Sequence, residues 1–93
     1  MLMSRAQVST PLATRCLTRL CRHWSHKFAV SFDEEKGDIF FDPSRCLLEI
    51  NEGGLLITLH APDLAQLDEL EPVVADHLQR MAGEDPLVIS WQR

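Results

Sequence analysis

Residues 10–27, TPLATRCLTRLCRHWSHK, predict an amphipathic helix that anchors the rest of the fold. Thr10 offers an N-cap hydroxyl, and Pro11 fits the first turn because its missing N–H has no partner there. We therefore expect the helix to run from Pro11 to about Ser25. At about 100° per residue, its apolar side chains share one broad face. That face comprises Ala13, Cys16, Leu17, Leu20, Cys21 and Trp24. Such a face predicts a helix packed on a core.

The opposite face of this helix is cationic. Its members are Arg15, Arg19, Arg22 and His26, with His23 beside them. No carboxylate lies three or four residues away, so these like charges repel one another by about a few tenths of a kcal/mol per pair. Solvent, the acidic remainder of the chain, a partner protein or an anionic small molecule could each balance them.

The charge is distributed unevenly along the chain. Residues 1–32 contain five Lys and Arg and no Asp or Glu, whereas residues 33–93 contain four and fourteen, for a net charge of −5. An acid-free, arginine-containing start also resembles a mitochondrial transit peptide. Trp24 and two cysteines on one helix face favour a core helix instead. The basic stripe is short and the remainder would repel phosphates, which argues against nucleic-acid binding.

Length and composition predict one α+β domain over residues 1–93. Hydrophobic residues make up 45% of the 93 and charged residues 25%, which is ordinary globular composition. Three cysteines form neither an even set nor a Cys-x-x-Cys pair, so we expect free thiols and a cytoplasmic location. No apolar run approaches the roughly 18 residues needed to cross a bilayer, and no secretory signal is evident. We therefore expect neither membrane insertion nor export.

Beyond the first helix, the pattern predicts an antiparallel meander followed by a second helix. The predicted strands are 27–32, 39–41, 46–50 and 55–60, with a short first strand at 6–9 and a last one at 87–91. Leucines and valines at helical spacing predict a helix from Leu64 to Gly83, and Pro72 predicts a break near Leu70. The expected architecture is an antiparallel sheet of four to six strands with two helices packed on one face.

Metal binding and catalysis find weak support in the sequence. His23 and His26 have i, i+3 spacing, but a metal site would need further ligands from His60, His77 or a cysteine. His77 falls at the edge of the apolar stripe of the second helix, where a hydrogen-bonded structural role is the common outcome. The cysteines of the first helix lie on its apolar side and are expected to pack as small hydrophobic groups. No phosphate loop or nucleophile motif is present, so the sequence identifies neither a cofactor nor a reaction, and it favours a non-catalytic protein.

Three strings resemble a bacterial family known as domain of unknown function 2218. They are LCRHWSHK at 20–27, Val73-Val74-x-x-His77-Leu78-x-Arg80, and Leu87-x-Ile89-x-Trp91, and Ala6-x-Val8-x-Thr10 adds to the likeness. The resemblance spans nearly the whole chain and brings no activity with it. It departs at Cys16 and Met81, where the family has aromatic residues. Because members of that family occur beside or fused to siderophore-utilisation proteins, the resemblance implies an accessory role in iron uptake.

The residues shared with that family suggest a common binding site. We predict that His23, His26, Lys27, His77 and Arg80 bind an anionic ligand, such as a carboxylate- or catecholate-bearing iron chelate. Two arginines of the cationic face, Arg19 and Arg22, are expected to contribute. The alternative is an interaction protein without a small ligand. Its second apolar sheet face, Phe40, Leu47 and Leu56, would then form a homodimer or dock a flavin-dependent reductase.

Overall fold

The computed structural model describes residues 1–93 and shows a five-stranded antiparallel sheet with two helices on one face. The elements in chain order are β1 Leu2–Ser9, α1 Ala13–Trp24, β2 Ala29–Phe32, β3 Lys36–Phe40, β4 Arg45–Asn51, β5 Gly54–Ala61 and α2 Leu64–Ala82. The predicted α+β class and the two-layer arrangement are confirmed. Neither helix combines the length and the apolar character needed to cross a membrane.

The sheet order is β1-β5-β4-β3-β2. Strands β2 to β5 form the predicted meander, in which each strand pairs with the next. β1 lies on the far side of β5 and pairs with it from Leu2 opposite Ala61 to Ser9 opposite Gly54. Because side chains alternate along a strand, the inner face packs beneath the helices while the outer face is left without a covering layer.

The core lies between α1 and the inner face of the sheet, as the apolar face of residues 13–24 predicts. All six predicted side chains, from Ala13 to Trp24, are buried. They pack with β-strand residues such as Ile39, Leu48 and Ile57, which are also buried. The start of the helix differs slightly from prediction. The Thr10 hydroxyl accepts a hydrogen bond from the Leu12 N–H at 3.0 Å, so Thr10 orders the turn that precedes the helix.

Gly37 lets α1 pack closely against β3. A Cβ atom at this position would lie 2.7 Å from the Sγ of Cys21, well inside van der Waals contact. Cys21 is fully buried at the same contact. The helix therefore lies closer to the sheet here than any larger residue at position 37 would allow.

Helix α2 is continuous, and the predicted break near Leu70 is wrong. Asp63 caps the helix by accepting a hydrogen bond from the Gln66 N–H at 2.9 Å. Pro72 lies inside the helix and is exposed. Leu67 before the proline and Val74 after it are both buried against the same layer, so packing holds the two halves in one helix.

The predicted strand at 87–91 is also wrong. Residues 87–91 form no ladder, and the only bridge joins Arg5 and Gln92. Side chains hold this segment instead: the Leu87 N–H donates to Oε1 of Gln79 at 2.8 Å. Alternating apolar residues suggested a strand, but Val88 is 82% exposed, and only one face of the segment touches the protein.

Candidate functional site

The candidate site is a cleft of about 410 Å³ between the end of α1, the middle of α2 and the β3–β4 turn. Its lining residues are Trp24, Lys27, Phe28, Phe41, Asp42, Pro43, Ser44, Gln66, Glu69, Leu70, Val73 and His77. The three elements converge because α1 and α2 pack side by side on the same face of the sheet. A cleft of this size could accommodate a small organic molecule.

Aromatic side chains form the floor of the cleft. The Trp24 and Phe41 rings meet edge to face, with centroids 5.0 Å apart, and Phe28 meets Phe41 in the same way at 4.8 Å. Trp24 is buried, whereas both phenylalanines are partly exposed toward the cleft. Edge-to-face packing fixes the three rings and leaves the exposed parts of the two phenylalanines available to an aromatic ligand.

His77 joins this floor to α1. Its ring centroid lies 4.9 Å from that of Trp24 and 5.5 Å from that of His23. Its Nδ1 lies 2.8 Å from the backbone oxygen of Val73. Because a carbonyl oxygen only accepts, Nδ1 carries the hydrogen and donates this hydrogen bond. Nε2 is then the nitrogen left for a ligand. In the neutral ring it accepts a hydrogen bond, and in the imidazolium it donates one.

The charges that line the cleft are mixed. Lys27 contributes an ammonium group, while Asp42 and Glu69 contribute carboxylates. Gln66 and Ser44 add groups that both donate and accept hydrogen bonds. The cleft therefore suits a ligand with an acceptor at one place and a donor at another better than it suits a bare polyanion.

Three of the predicted site residues come together here. Lys27 and His77 line the cleft, and the ring of His23 lies against that of His77. The other four do not line it. Arg80 forms an ion pair with Asp76 at 2.9 Å on the exposed side of α2. The other three predicted site residues are exposed and have no carboxylate within ion-pair distance, namely Arg19, Arg22 and His26.

Sequence reasoning missed the part of the cleft that comes from the β3–β4 turn. The pattern predicts that Phe41 ends a strand, and nothing in the one-dimensional pattern shows that it meets Trp24. The alternation of residues 27–32 predicts that Phe28 belongs to a strand, whereas it lies just before β2. The available signal is the pair of phenylalanines that flank the β2–β3 hairpin, Phe28 before β2 and Phe41 after β3.

The three cysteines lie away from the cleft. All are free and buried. Burial raises the pKa of Cys16 and Cys46, and it raises the pKa of Cys21 to about 11, so their thiols are protonated at neutral pH. This supports the prediction that they pack as hydrophobic groups. No cluster of three or more His, Cys, Asp or Glu side chains is positioned to hold a metal ion.

A larger hollow of about 590 Å³ lies on the outer face of the sheet. Its lining includes Arg5, Lys36, Asp38, Glu49 and His60. No helix closes it, charged groups of both signs line it, and Asp38 already pairs with Arg45 at 3.1 Å. We favour the smaller cleft as the binding site because helices wall it and aromatic rings form its floor.

The family model for bacterial DUF2218, described as an uncharacterised protein conserved in bacteria, matches residues 5–92. The chain belongs to the DUF2218 family. The predicted resemblance is thereby confirmed over nearly its full length. The DUF2218 fold is also similar to the NMR structure of PA4090 from Pseudomonas aeruginosa, with 44% identity, a TM-score of 0.82, and coverage of 99% of this chain and 96% of that one. No curated protein matches this DUF2218 chain.

Proposed function

We propose that this DUF2218 protein is a small non-catalytic binding protein whose cleft takes an aromatic molecule with an anionic group. The observation that carries the proposal is the cluster of Trp24, Phe41 and His77, with Lys27 lining the same cleft. A flat ring would pack on the aromatic floor, and a carboxylate or phenolate would pair with Lys27.

The hydrogen-bonding groups of the cleft favour a hydroxyaryl acid or a catechol over phosphate. Nε2 of neutral His77 accepts a hydrogen bond from a phenolic hydroxyl, and Glu69 does the same. Phosphate has no apolar face to place on the aromatic floor, and its higher negative charge is repelled more strongly by the carboxylates of Asp42 and Glu69. Catecholate and hydroxyaryl carboxylate groups are also the groups with which many iron chelates bind their metal.

This proposed ligand class and the family resemblance together support an accessory role in siderophore and iron utilisation. The ligand would be the chelate or its aromatic fragment, bound without a reaction. Three buried free cysteines support a reducing compartment, and we place the protein in the cytoplasm.

Tryptophan fluorescence offers a direct test. The chain has two tryptophans and no tyrosine, so Trp91→Phe leaves Trp24 as the only strong emitter. We expect dihydroxybenzoate and salicylate to quench Trp24 in a saturable way, and inorganic phosphate to leave its emission unchanged. Ferric citrate serves as an iron chelate without an aromatic ring.

Variants locate the binding event. His77→Gln and Lys27→Gln should each weaken the saturable quenching about tenfold, whereas His26→Ala, an exposed histidine outside the cleft, should leave it unchanged. Absence of saturable quenching by every aromatic probe would refute the proposal. Equal quenching in the His77 and His26 variants would show that the ligand binds at a site other than the cleft.

The alternative function, a homodimer or a reductase-docking module that uses the outer sheet face, has one observation in its favour. Phe40 is 38% exposed on that face. However, the Arg45 guanidinium lies over the Phe40 ring at 5.4 Å and pairs with Asp38 at 3.1 Å. Since Phe40 already has a cationic partner, the apolar patch is smaller than the sequence suggests, and we place the cleft first.

A further inference from the structure

The two edges of the sheet differ in their backbone hydrogen bonds. The outer edge of β1 is occupied, because the Arg5 N–H donates to the Gln92 oxygen at 2.8 Å and the Gln92 N–H donates to the Arg5 oxygen at 2.7 Å. The outer edge of β2 has no neighbouring segment. An open edge of this kind is a template for another strand.

Register identifies the groups exposed along β2. The Asp33 N–H donates to the Lys36 oxygen, so the hydrogen-bonded pairs with β3 fall at Ser31 and Ala29. Bonding groups alternate along an antiparallel strand. Val30 and Phe32 therefore direct their N–H and C=O groups away from the sheet.

The residues around this edge are self-complementary. Residues 27–33 read KFAVSFD, with Val30 at the centre, a phenylalanine two residues away on each side, and Lys27 and Asp33 at opposite ends. Lys27 lies in the turn that ends α1 and Asp33 follows β2, so the two charges flank the strand at opposite ends. Neither has an ion-pair partner in the structure.

The negative end of this segment is held in place. The Asp33 carboxylate accepts hydrogen bonds from the Glu35 N–H at 2.7 Å and the Lys36 N–H at 2.8 Å. These two hydrogen bonds keep the pKa of Asp33 below its ordinary value, and the bond from Glu35 has the larger effect. The group is therefore charged at neutral pH. Its position and its charge are thus fixed before any partner arrives.

We propose that two copies of this chain pair their β2 strands in antiparallel fashion, with Val30 on the two-fold axis, to form one continuous sheet. The two Val30 residues then exchange both backbone hydrogen bonds. Each Phe32 N–H donates to the Phe28 oxygen of the second copy. The Phe28 N–H is already bonded to the Trp24 oxygen at 2.8 Å and takes no part.

This register aligns opposite charges across the interface. The end of β2 next to Lys27 in each copy lies beside the end next to Asp33 in the other. The acidic turn Asp33–Glu35 then approaches the segment that ends α1, which carries Arg22 and His26. Those basic groups have no carboxylate partner within one chain. A second copy therefore supplies the anions that the cationic end of α1 lacks.

The side chains of the interface also match. Phe28 of one copy faces Phe32 of the other, and Phe32 is 38% exposed in the single chain. Cross-strand aromatic pairs stabilise antiparallel sheets. The interface is small, so the association is weak and depends on protein concentration and on salt. It does not rest on the proposed ligand, although Lys27 borders both sites.

Sedimentation velocity and amide hydrogen exchange test the pairing. From micromolar to millimolar protein at low salt, we expect a monomer to convert to a dimer, and the Val30 and Phe32 amides to gain protection in parallel. High salt should reverse both changes. A chain that stays monomeric throughout, or a dimer in which these two amides remain unprotected, would overturn the proposal.

Charge variants test the register. Lys27→Glu places like charges beside each other twice per dimer and should raise the dissociation constant about tenfold or more, whereas Lys27→Arg should preserve association. Arg5→Glu makes the same change of charge on β1, at the occupied edge, and should have no effect. Unchanged association of Lys27→Glu would refute this register.

Discussion

The two helices pack on the same face of the sheet but make different contributions to it. α1 has 12 residues and buries six of them, whereas α2 has 19 and buries four. The short helix therefore provides most of the helical core. The long helix forms one wall of the cleft and holds the segment that follows it. Half of the positions in α1 therefore contribute to the core, whereas in α2 only Leu67, Val74, Leu78 and Ala82 do so.

The largest expected effect comes from removing a core side chain of α1. Leu20→Ala should lower the free energy of unfolding by about 3–5 kcal/mol, because Leu20 is fully buried and the packed core cannot collapse around the cavity. Leu70→Ala in α2 should lower it by only about 1–2 kcal/mol, since Leu70 is half-buried at the rim of the cleft. Urea unfolding measures both. Equal losses of unfolding free energy in the two variants would contradict the expected difference between the helices.

The close contact between α1 and β3 gives the next effect. Gly37→Ala should destabilise the fold by about 1–3 kcal/mol, because the added methyl group would overlap Cys21 Sγ. Cys21→Ala removes that sulfur. The double variant should therefore lose less stability than the two single variants together, as measured by a double-mutant cycle. Strict additivity would show that the helix and strand move apart instead.

A smaller effect, of opposite sign, is expected in α2. Pro72 is exposed inside the helix and has no N–H to donate. Pro72→Ala should restore one helical hydrogen bond and raise the free energy of unfolding by about 1–2 kcal/mol, after allowance for the greater freedom of the unfolded chain. The shift in thermal midpoint measures this gain. A loss of stability would show that the proline shapes the helix for packing.

The smallest expected effect concerns the link between α2 and the C-terminal residues. Glu71 accepts hydrogen bonds from Arg93 and from the Ser4 hydroxyl. These bonds hold the pKa of Glu71 below its ordinary value of 4.5, and the bonds from Arg93 have the largest effect. The stabilisation is therefore complete above the pKa of the unfolded chain and is lost as the pH falls through the lower folded pKa.

Glu71→Gln should remove that part of the pH dependence. The variant should be less stable than the wild type at neutral pH and match it in strong acid. Arg93→Ala should produce most of the same change, while Arg80→Ala, which breaks an exposed ion pair with Asp76, serves as the control. Urea unfolding across an acid pH series measures the three variants. A constant difference at all pH values would contradict the assignment.

Much of the fold could be predicted because its strongest patterns are local. The apolar face of α1 repeats with helical period, and the strands of the meander alternate, so both could be located from neighbouring residues. Pro72 and residues 87–91 misled the prediction because their outcome depends on contacts with distant residues. Leu67 and Val74 hold α2 together across the proline, and Gln79 holds Leu87 away from a ladder.

The candidate site was harder to predict than the fold. His23, Lys27 and His77 belong to a pattern that resembles the family, and the structure brings these three together. Arg80 belongs to the same pattern but pairs with Asp76, its neighbour one turn away on α2. Phe41 comes from a turn whose position in space depends on the complete sheet. A cleft built from three elements has no signature in any one of them.

The pairing of β1 with β5 has a consequence for the order of folding. The hairpins from β2 to β5 join residues close in sequence, whereas Leu2 must reach Ala61 before the first strand can join. Closing that long loop is slow, so we expect the meander to form first and β1 to be added last. Until then one edge of β5 has no partner strand, and newly synthesised chains could associate through it instead of completing their own sheets.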